Sequence, residues 1–236
     1  MNRRLAVIPA RGGSKRIPNK NIRDFCGRPM MSYILEAARK SQLFDVVHVS
    51  TESHHVAEVA GQYGCPVDFA RPIELADDLT PIMPVLRYVL DEYAKLGRRF
   101  DEVAMLMACA PLVTATDLVQ AHELFCAHGA AIPVLAVAPY PCPVEWAFRR
   151  DSKGRLSPIQ PGMFAVRSQD LEPSYFDAGL FSFFPAKAVL NTEGAGSDAN
   201  FIGQILPRYK AIDIDTPDDW TLAEAIFRGV RQSAGG

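Results

Sequence analysis

Paired cysteines are missing from this chain. Its 236 residues contain five cysteines, and no two of them are separated by only two residues. They are Cys26, Cys65, Cys109, Cys126 and Cys142. An odd number of widely spaced cysteines argues against a disulfide framework and predicts reduced thiols, as in cytoplasmic proteins. His122, Cys126 and His128 offer three possible zinc ligands, but no fourth is nearby and helical packing explains their spacing as well.

Long apolar runs and a large excess of one charge are also missing. Pro, Gly or charged residues interrupt every apolar stretch well short of the roughly 18 to 20 residues of a membrane span. The first apolar stretch runs at once into Arg-Gly-Gly, unlike a signal peptide. The formal net charge of −2 argues against a nucleic-acid-binding protein, which would be basic. With 48% hydrophobic and 22% charged residues, the composition predicts a globular protein of one or two domains, without nucleic-acid or membrane partners.

The commoner nucleotide-binding fingerprints are absent from the glycine-rich segment 11–21. It reads Arg-Gly-Gly-Ser-Lys-Arg-Ile-Pro-Asn-Lys-Asn, which matches neither the GxxxxGK[ST] loop nor the three-glycine GxGxxG pattern. It follows directly on an apolar, strand-like stretch at 5–9. From Arg11 to Arg28 the chain holds six basic residues and one acidic residue.

This basic loop has the chemistry of a phosphate site. Gly12 and Gly13 allow the backbone to approach a ligand closely, while the arginine and lysine side chains bring cationic donors to the same place. A basic run is often only a solvated surface. Here it begins at the carboxyl end of a predicted strand, where open α/β sheets bind their ligands. We therefore predict that the loop holds phosphate.

Predicted strands and helices alternate over most of the chain. The strands are expected at 5–9, 46–50, 102–109, 133–138, 178–184 and 211–215. Helices are expected at 29–41, from Thr51 or Ser53 to 63, from Pro81 to 97, at 117–128 capped by Thr116, and after Thr216. This alternation predicts an α/β fold with a doubly wound, mostly parallel sheet. Pro139, Pro141 and Pro143 open a segment without it, so we predict an insertion at 139–176 within an α/β domain formed by 1–138 and 177–236.

Two aspartates alternate with two isoleucines in the last predicted strand. Because alternate residues of a strand share a face, Asp213 and Asp215 are expected to lie side by side. Adjacent carboxylates repel each other unless a cation lies between them, and Mg²⁺ binds one or two carboxylates together with waters and phosphates. Asp215 also precedes a helix start and could act as its cap. Since a phosphate loop lies elsewhere on the chain, we favour a metal site.

The 11–21 loop resembles the signature loop of the CMP-N-acetylneuraminate synthetase family, the cytidylyltransferases that activate sialic-acid-type sugars. Further segments that carry the likeness are 71–78, 110–112, 167–172, 175–179 and 212–215. The subgroup to which the chain is most similar is pseudaminic acid cytidylyltransferase. The resemblance implies a Rossmann-like nucleotidyltransferase fold, CTP and an acidic nine-carbon sugar as substrates, and Mg²⁺ as cofactor. It also implies a homodimer formed through the insertion.

Roles for individual residues follow from the same resemblance. Arg11, Ser14 and Lys15 would hold the triphosphate, Lys20 and Asn21 would lie near the α-phosphate and ribose, and Arg71 would contact the cytosine. The other nucleotide-site residues that it implies are Ala10, Gly12, Gly13 and Asp78. The catalytic set comprises Arg11, Lys15, Lys20, Asp213 and Asp215, with the two aspartates as ligands of Mg²⁺.

The acidic sugar would be bound by Arg167, which pairs with its carboxylate, and by Gln169 and Asp177. The chain departs from the family pattern at 107–113 and at Leu180, so the sugar stays open. N-acetylneuraminate, legionaminate and ketodeoxyoctonate are alternatives to pseudaminic acid, whereas Arg167 argues against a sugar 1-phosphate. A non-catalytic nucleotide-binding homologue is a further alternative, which the paired aspartates disfavour.

Overall fold

A computed structural model describes residues 2–191 and 200–234. The strands are β1 (Arg4–Pro9), β2 (Asp24–Phe25), β3 (Arg28–Pro29), β4 (Val46–Ser50), β5 (Glu102–Leu106), β6 (Val134–Pro139), β7 (Phe148–Arg150), β8 (Leu156–Pro158), β9 (Tyr175–Pro185) and β10 (Ile202–Ile205). The helices are α1 (Ser32–Ser41), α2 (His54–Gln62), α3 (Ile82–Lys95), α4 (Ala115–Ala127), α5 (Ala186–Leu190) and α6 (Pro217–Ala234). Within this part of the chain, no helix combines the length and the apolar character needed to cross a bilayer.

A six-stranded sheet forms the centre of the protein, in the order β10-β6-β9-β5-β1-β4. β1 pairs in parallel with β4 and β5, and β10 pairs in parallel with β6. β9 is antiparallel to both of its neighbours, β5 and β6. The prediction of an α/β fold with a mostly parallel sheet is confirmed, and the antiparallel β9 is the exception that the insertion makes possible.

The alternation of side chains in β1 shows how the sheet is buried on both faces. Leu5 and Val7 pack with α3 and α5 in one apolar cluster, whereas Ala6 and Ile8 pack in a second cluster with α1, α2 and α4. All four side chains are fully buried. A continuous apolar run is typical of such a doubly covered strand.

A third apolar cluster joins the C-terminal helix to the basic loop. Ile17 of the loop, Ile214 and Trp220 of α6 belong to it, and the Trp220 ring lies 5.4 Å from the Phe25 ring in an edge-on contact. Residues separated by about 200 positions are thereby held together. This packing brings the segment 211–215 next to the 11–21 loop.

The structure corrects local predictions at 211–215, at the cap of α4 and at the end of β5. The segment 211–215 is not a strand, and the edge of the sheet is formed instead by β10. The cap of α4 is Thr114 rather than Thr116, because Thr114 and Asp117 form a reciprocal capping box. The strand predicted at 102–109 ends earlier, at Leu106, and turns into the site described below.

The segment 139–176 leaves the sheet and returns to the same place. Pro139 of β6 is paired with Tyr175 of β9, and the Tyr140 amide donates to the Ser174 carbonyl at 3.0 Å. Between these ends lies a small hairpin formed by β7 and β8, whose side chains are all exposed. The segment is therefore an excursion between two neighbouring strands.

Candidate active site

A cavity of about 310 Å³ opens at the carboxyl ends of β1 and β5. The predicted site residues that line it are Arg11, Ser14, Lys15, Lys20, Asn21, Arg71, Asp78, Asp213 and Asp215. They come from the basic loop, from the stretch before α3 and from the stretch before α6. The basic loop packs against α6, and this packing brings these distant parts of the chain together around the cavity.

Asp78 binds two cations of the loop. The Arg11 guanidinium lies 2.5 Å from one carboxylate oxygen, and the Lys15 ammonium pairs with the other. These bonds and charges lower the pKa of Asp78, with the Lys15 bond contributing most. Asp78 therefore keeps its negative charge beside the two groups that were predicted to hold the triphosphate.

Gly12 is required by a close approach behind the loop rather than inside the cavity. A Cβ at this position would lie 2.9 Å from the Cβ of Ser53. The Gly12 amide donates to Glu52 Oε1 at 2.7 Å. Gly13 has open space around it, and neither glycine nor Ala10 lines the cavity. The substrate-binding roles of Ala10, Gly12 and Gly13 stay predictions.

Asn21 fixes the far end of the loop. Its amide nitrogen donates to the Arg11 carbonyl at 2.9 Å, and its amide oxygen lies 3.3 Å from the thiol of Cys109. Burial raises the pKa of Cys109 to about 12, so that the thiol stays protonated at neutral pH and can donate to this oxygen. The bond joins the loop to the stretch that follows β5.

Asp215 faces the basic loop and does not cap α6. Its carboxylate lies 2.8 Å from Arg16 and 3.2 Å from Lys20, and Lys20 also donates to the Ile214 carbonyl at 2.7 Å. The start of α6 is capped by Thr216, because the Asp219 carboxylate accepts from the Thr216 amide at 2.7 Å and the Thr216 hydroxyl accepts from the Asp219 amide at 3.3 Å. The carboxylate of Asp215 is thus left for the cavity.

Asp213 lies beside Asp215 without a cation of its own. In the described part of the chain, no Lys, Arg or His forms an ion pair with it. Desolvation by neighbouring atoms raises the pKa of Asp213, and the charge of Asp215 raises it further. A divalent cation would relieve both effects, since it pairs with the two carboxylates at once. The donor set therefore fits Mg²⁺, which needs few protein ligands, although no group of three metal-ligating side chains is found among the described residues.

Arg71 is not a surface charge. The residue is 6% exposed, its Nε donates to Ser50 Oγ at 3.0 Å, and its Nη2 donates to the Ser50 carbonyl. Nη1 reaches the Leu75 carbonyl at 3.4 Å. Arg71 lines the cavity together with Thr80, which precedes α3, and Val85 of α3.

The residues predicted to bind the acidic sugar do not line the cavity. Arg167 is exposed and pairs with Asp170 at 3.0 Å, and Gln169 is exposed beside it. The Asp177 carboxylate accepts from the Gly179 amide at 2.9 Å. From this part of the chain, the residues that reach the cavity are Gly179 and Leu180. The sugar-binding roles of Arg167, Gln169 and Asp177 stay predictions.

Comparison with known proteins decides the family. The family model for cytidylyltransferases matches residues 5–123. A pseudaminic acid cytidylyltransferase from Campylobacter jejuni is 35% identical to this chain over 98% of each protein. The chain belongs to the cytidylyltransferase family. CMP-N,N'-diacetyllegionaminic acid synthase from Legionella pneumophila is 33% identical and covers 94% of this chain and 95% of its own length.

Solved cytidylyltransferase structures have the same fold. CMP:2-keto-3-deoxy-manno-octonic acid synthetase, solved in complex with CTP, superposes with a TM-score of 0.70 at 16% identity and covers 96% of this chain and 99% of its own. 4-Diphosphocytidyl-2C-methyl-D-erythritol synthase from Anaerococcus prevotii gives a TM-score of 0.61 at 12% identity, with the same coverage. The family and the fold implied by the 11–21 loop are both confirmed.

Sequence reasoning missed several residues of this cytidylyltransferase site. Arg16 was counted among the loop cations, yet its pairing with Asp215 was not foreseen. Thr80, which precedes the predicted helix start at Pro81, lines the cavity. Ser50 accepts a hydrogen bond from Arg71, and Glu52 accepts one from the Gly12 amide. Their position at or just beyond the carboxyl end of a predicted strand was the available signal, because such positions face the site in open α/β sheets.

Proposed function

We propose that this protein joins CTP to an acidic nine-carbon sugar of the sialic-acid type, with pseudaminic acid as the substrate, and releases pyrophosphate. The observation that carries the proposal is the arrangement of charge around one cavity. Cations of the basic loop, the two carboxylates of Asp213 and Asp215, and the buried Arg71 line the same cavity. The two relatives that cover nearly the whole chain are named for pseudaminic and diacetyllegionaminic acid, which supports an acidic sugar.

The reaction is a displacement at phosphorus. The anomeric hydroxyl oxygen of the sugar forms a bond to the α-phosphorus of CTP, and the bond from that phosphorus to the bridging oxygen of the β-phosphate breaks. Pyrophosphate leaves with the electron pair, and the hydroxyl proton passes to solvent. Such a transfer depends on positioning and on stabilising negative charge more than on covalent chemistry by the protein.

The loop cations stabilise the charge that develops on the leaving group. Arg11, Ser14 and Lys15 bind the β- and γ-phosphates, and the two cations exchange Asp78 for phosphate oxygens. Lys20 extends from the basic loop to Asp215, which it contacts at 3.2 Å. From this position it binds the α-phosphate. Asn21 holds the loop in place through the Arg11 carbonyl.

Asp213 and Asp215 are the residues that would hold Mg²⁺. When bound, the ion supplies positive charge to the phosphate oxygens and acidifies the sugar hydroxyl. Because Asp215 is already paired with Arg16 and Lys20, the two carboxylates do not carry two uncompensated charges in the absence of metal.

Arg71 contacts the cytosine. Its guanidinium is held by Ser50 and Leu75 and still has an N–H on each terminal nitrogen for the base, whose carbonyl oxygen and ring nitrogen are acceptors. A buried donor pair of this kind discriminates more strongly than a solvated arginine, because a base that fails to match leaves it unpaired.

The insertion supports a homodimer and the sugar site. Exposed apolar side chains on it include Phe148, Leu156, Ile159 and Phe164. A second copy of this chain would cover them, and such patches are typical of interfaces. Arg167 and Gln169 lie on the same segment and supply the contacts to the sugar carboxylate and its amide groups. We place the protein in the cytoplasm, which its free thiols support.

One assay tests this function directly. Pyrophosphate release is measured with CTP, Mg²⁺ and a panel of pseudaminic acid, legionaminic acid, N-acetylneuraminic acid, ketodeoxyoctonate and a sugar 1-phosphate. We expect release with the acidic sugars, fastest with pseudaminic acid, and none with the sugar 1-phosphate. Binding of CTP without release from any sugar would show a non-catalytic nucleotide-binding protein and would overturn the proposal.

A further inference from the structure

Ser50 connects the start of the basic loop with Arg71. It is the last residue of β4 and has no exposed surface. Its carbonyl accepts from the Ala10 amide at 2.9 Å and from Arg71 Nη2, and its hydroxyl accepts from Arg71 Nε at 3.0 Å. The guanidinium therefore donates two hydrogen bonds to one buried residue, and these two bonds fix its plane.

Two N–H groups of the same guanidinium are left for a ligand in the cavity. A guanidinium carries five N–H groups, and the Ser50 and Leu75 contacts use three of them. One N–H is left on each terminal nitrogen, and Arg71 lines the cavity. The direction of this donor pair is set by the plane of the group, because the five N–H bonds lie in one rigid fork.

The backbone of Arg71 is held independently of the Ser50 hydroxyl. The Arg71 amide donates to the Thr51 carbonyl at 2.8 Å, and the Tyr88 hydroxyl donates to the Ala70 carbonyl at 2.9 Å. Loss of the hydroxyl alone thus leaves the chain in place and removes one of the three bonds that hold the guanidinium, which loosens its plane. The function of this hydroxyl is then separable from folding.

We propose that Ser50 is a positioning residue that sets the plane of Arg71 and thereby the preference for cytosine over uracil. The inference rests on the proposed function, in which Arg71 reads the base. Cytosine presents two neighbouring acceptors, O2 and N3, to the pair of N–H groups, whereas uracil presents an N–H at position 3 that opposes one of them. A guanidinium whose plane is held less tightly can turn to satisfy either base by a single bond, which weakens the distinction.

The test compares Ser50→Ala with Ser32→Ala. Ser32 is equally inaccessible to solvent, but its hydroxyl has no hydrogen-bond partner among the described residues, so its removal matches the change in size without touching Arg71. Dissociation constants for CTP and UTP are measured by calorimetry with Mg²⁺. We expect the dissociation constant of UTP divided by that of CTP to fall on the order of tenfold in Ser50→Ala, which is equivalent to one hydrogen bond to a charged group. The same ratio should stay unchanged in Ser32→Ala.

Ser50→Cys provides a second variant should the alanine fail to fold. It fills a similar volume with a weak acceptor, so we expect a smaller loss of preference in the same direction. A ratio within twofold of wild type in both Ser50 variants, or an equal loss in Ser32→Ala, overturns the inference. Equal binding of CTP and UTP by the wild type overturns it as well. Because only binding is measured, failure of the pyrophosphate assay is a separate result that bears on the proposed function.

Discussion

The Arg11 guanidinium lies 2.5 Å from a carboxylate oxygen of Asp78, a residue 67 positions further along the chain. Lys15 binds the other oxygen of the same carboxylate. Two cations that we assign to the triphosphate are therefore already neutralised, and a nucleotide must exchange with Asp78 to reach them. We expect the reverse exchange to assist the release of pyrophosphate.

Replacement of Asp78 by Asn should strengthen binding of pyrophosphate. The amide keeps the size of the side chain but removes the charge that competes for Arg11 and Lys15. Because the ion pairs of Asp78 are partly exposed, we expect the inhibition constant of pyrophosphate to decrease by roughly two- to fivefold. Steady-state inhibition measurements check it, with Asp91→Asn, an exposed aspartate on α3, as the control. Weaker inhibition in Asp78→Asn would instead make the carboxylate part of the binding site.

Either Asp213→Asn or Asp215→Asn should abolish most of the turnover at saturating CTP. Each change removes one of the two carboxylates that fit Mg²⁺, and we expect a loss of at least about a hundredfold. Asp218→Asn, on the first turn of α6 and exposed, is the control and should keep full activity. Titration of Mg²⁺ by thermal unfolding gives a second readout, in which the ion stabilises the wild type but not the two variants. Near wild-type turnover in Asp215→Asn contradicts the assignment.

The ion pair between Lys210 and Asp117 should contribute strongly to stability. The ammonium lies 2.8 Å and 2.6 Å from the two carboxylate oxygens, and Asp117 is 6% exposed. Lys210→Met leaves a buried carboxylate without its cation, which costs about 3 to 5 kcal/mol. Urea unfolding measures the loss. The control is Arg228→Ala, which breaks an exposed pair with Glu224 and should cost less than about 1 kcal/mol. Equal losses in the two variants would contradict the prediction.

His48 should make the protein less stable in acid. It is 1% exposed, and burial lowers its pKa from 6.5 to about 4. The Tyr93 hydroxyl donates to Asp68 at 2.8 Å, so it accepts from the neutral His48 ring at 3.1 Å. Between these two pKa values the unfolded chain binds a proton that the folded protein does not. The contribution of His48 to the free energy of unfolding is therefore fully present above pH 6.5. It is lost as the pH drops toward 4, by about 3 kcal/mol in total.

Urea unfolding at pH 7 and pH 4.5 measures this dependence. His48→Gln has no titrating group at this position and should lose less stability between the two pH values, although its absolute stability is lower. His54 is exposed, and His54→Gln is the control that should behave as the wild type. If the pH dependence of His48→Gln equals that of the wild type, other groups cause the acid sensitivity.

The parts of the site that sequence could predict are those set by local chemistry. The 11–21 loop follows a strand that is apolar throughout. The strand and the loop can both be recognised from a stretch of about 20 residues. Asp215 was found even though its segment is not a strand. The alternation of Ile214 and Asp215 needs only an extended backbone, with the isoleucine packed in the third apolar cluster. The wrong inference was that an alternating pattern needs a neighbouring strand.

Contacts between distant segments were not predictable. Nothing near Asp78 in the chain shows that Arg11 pairs with it, and nothing near Ser50 shows that its hydroxyl holds Arg71. The cap of α4 could have been found, because Thr114 and Asp117 have the spacing of a capping box. The edge strand β10 has only four residues and includes a glycine, so its pattern is too short to recognise.

The paired ends of the 139–176 segment have a consequence for how the family can vary. Because Pro139 and Tyr175 are neighbours in the sheet, the strands β6 and β9 are closed across the base of the excursion. A change in its length or sequence is absorbed outside the sheet and leaves the ladder in register. Sequence changes in this excursion can therefore accumulate while the strands beside the cavity stay the same.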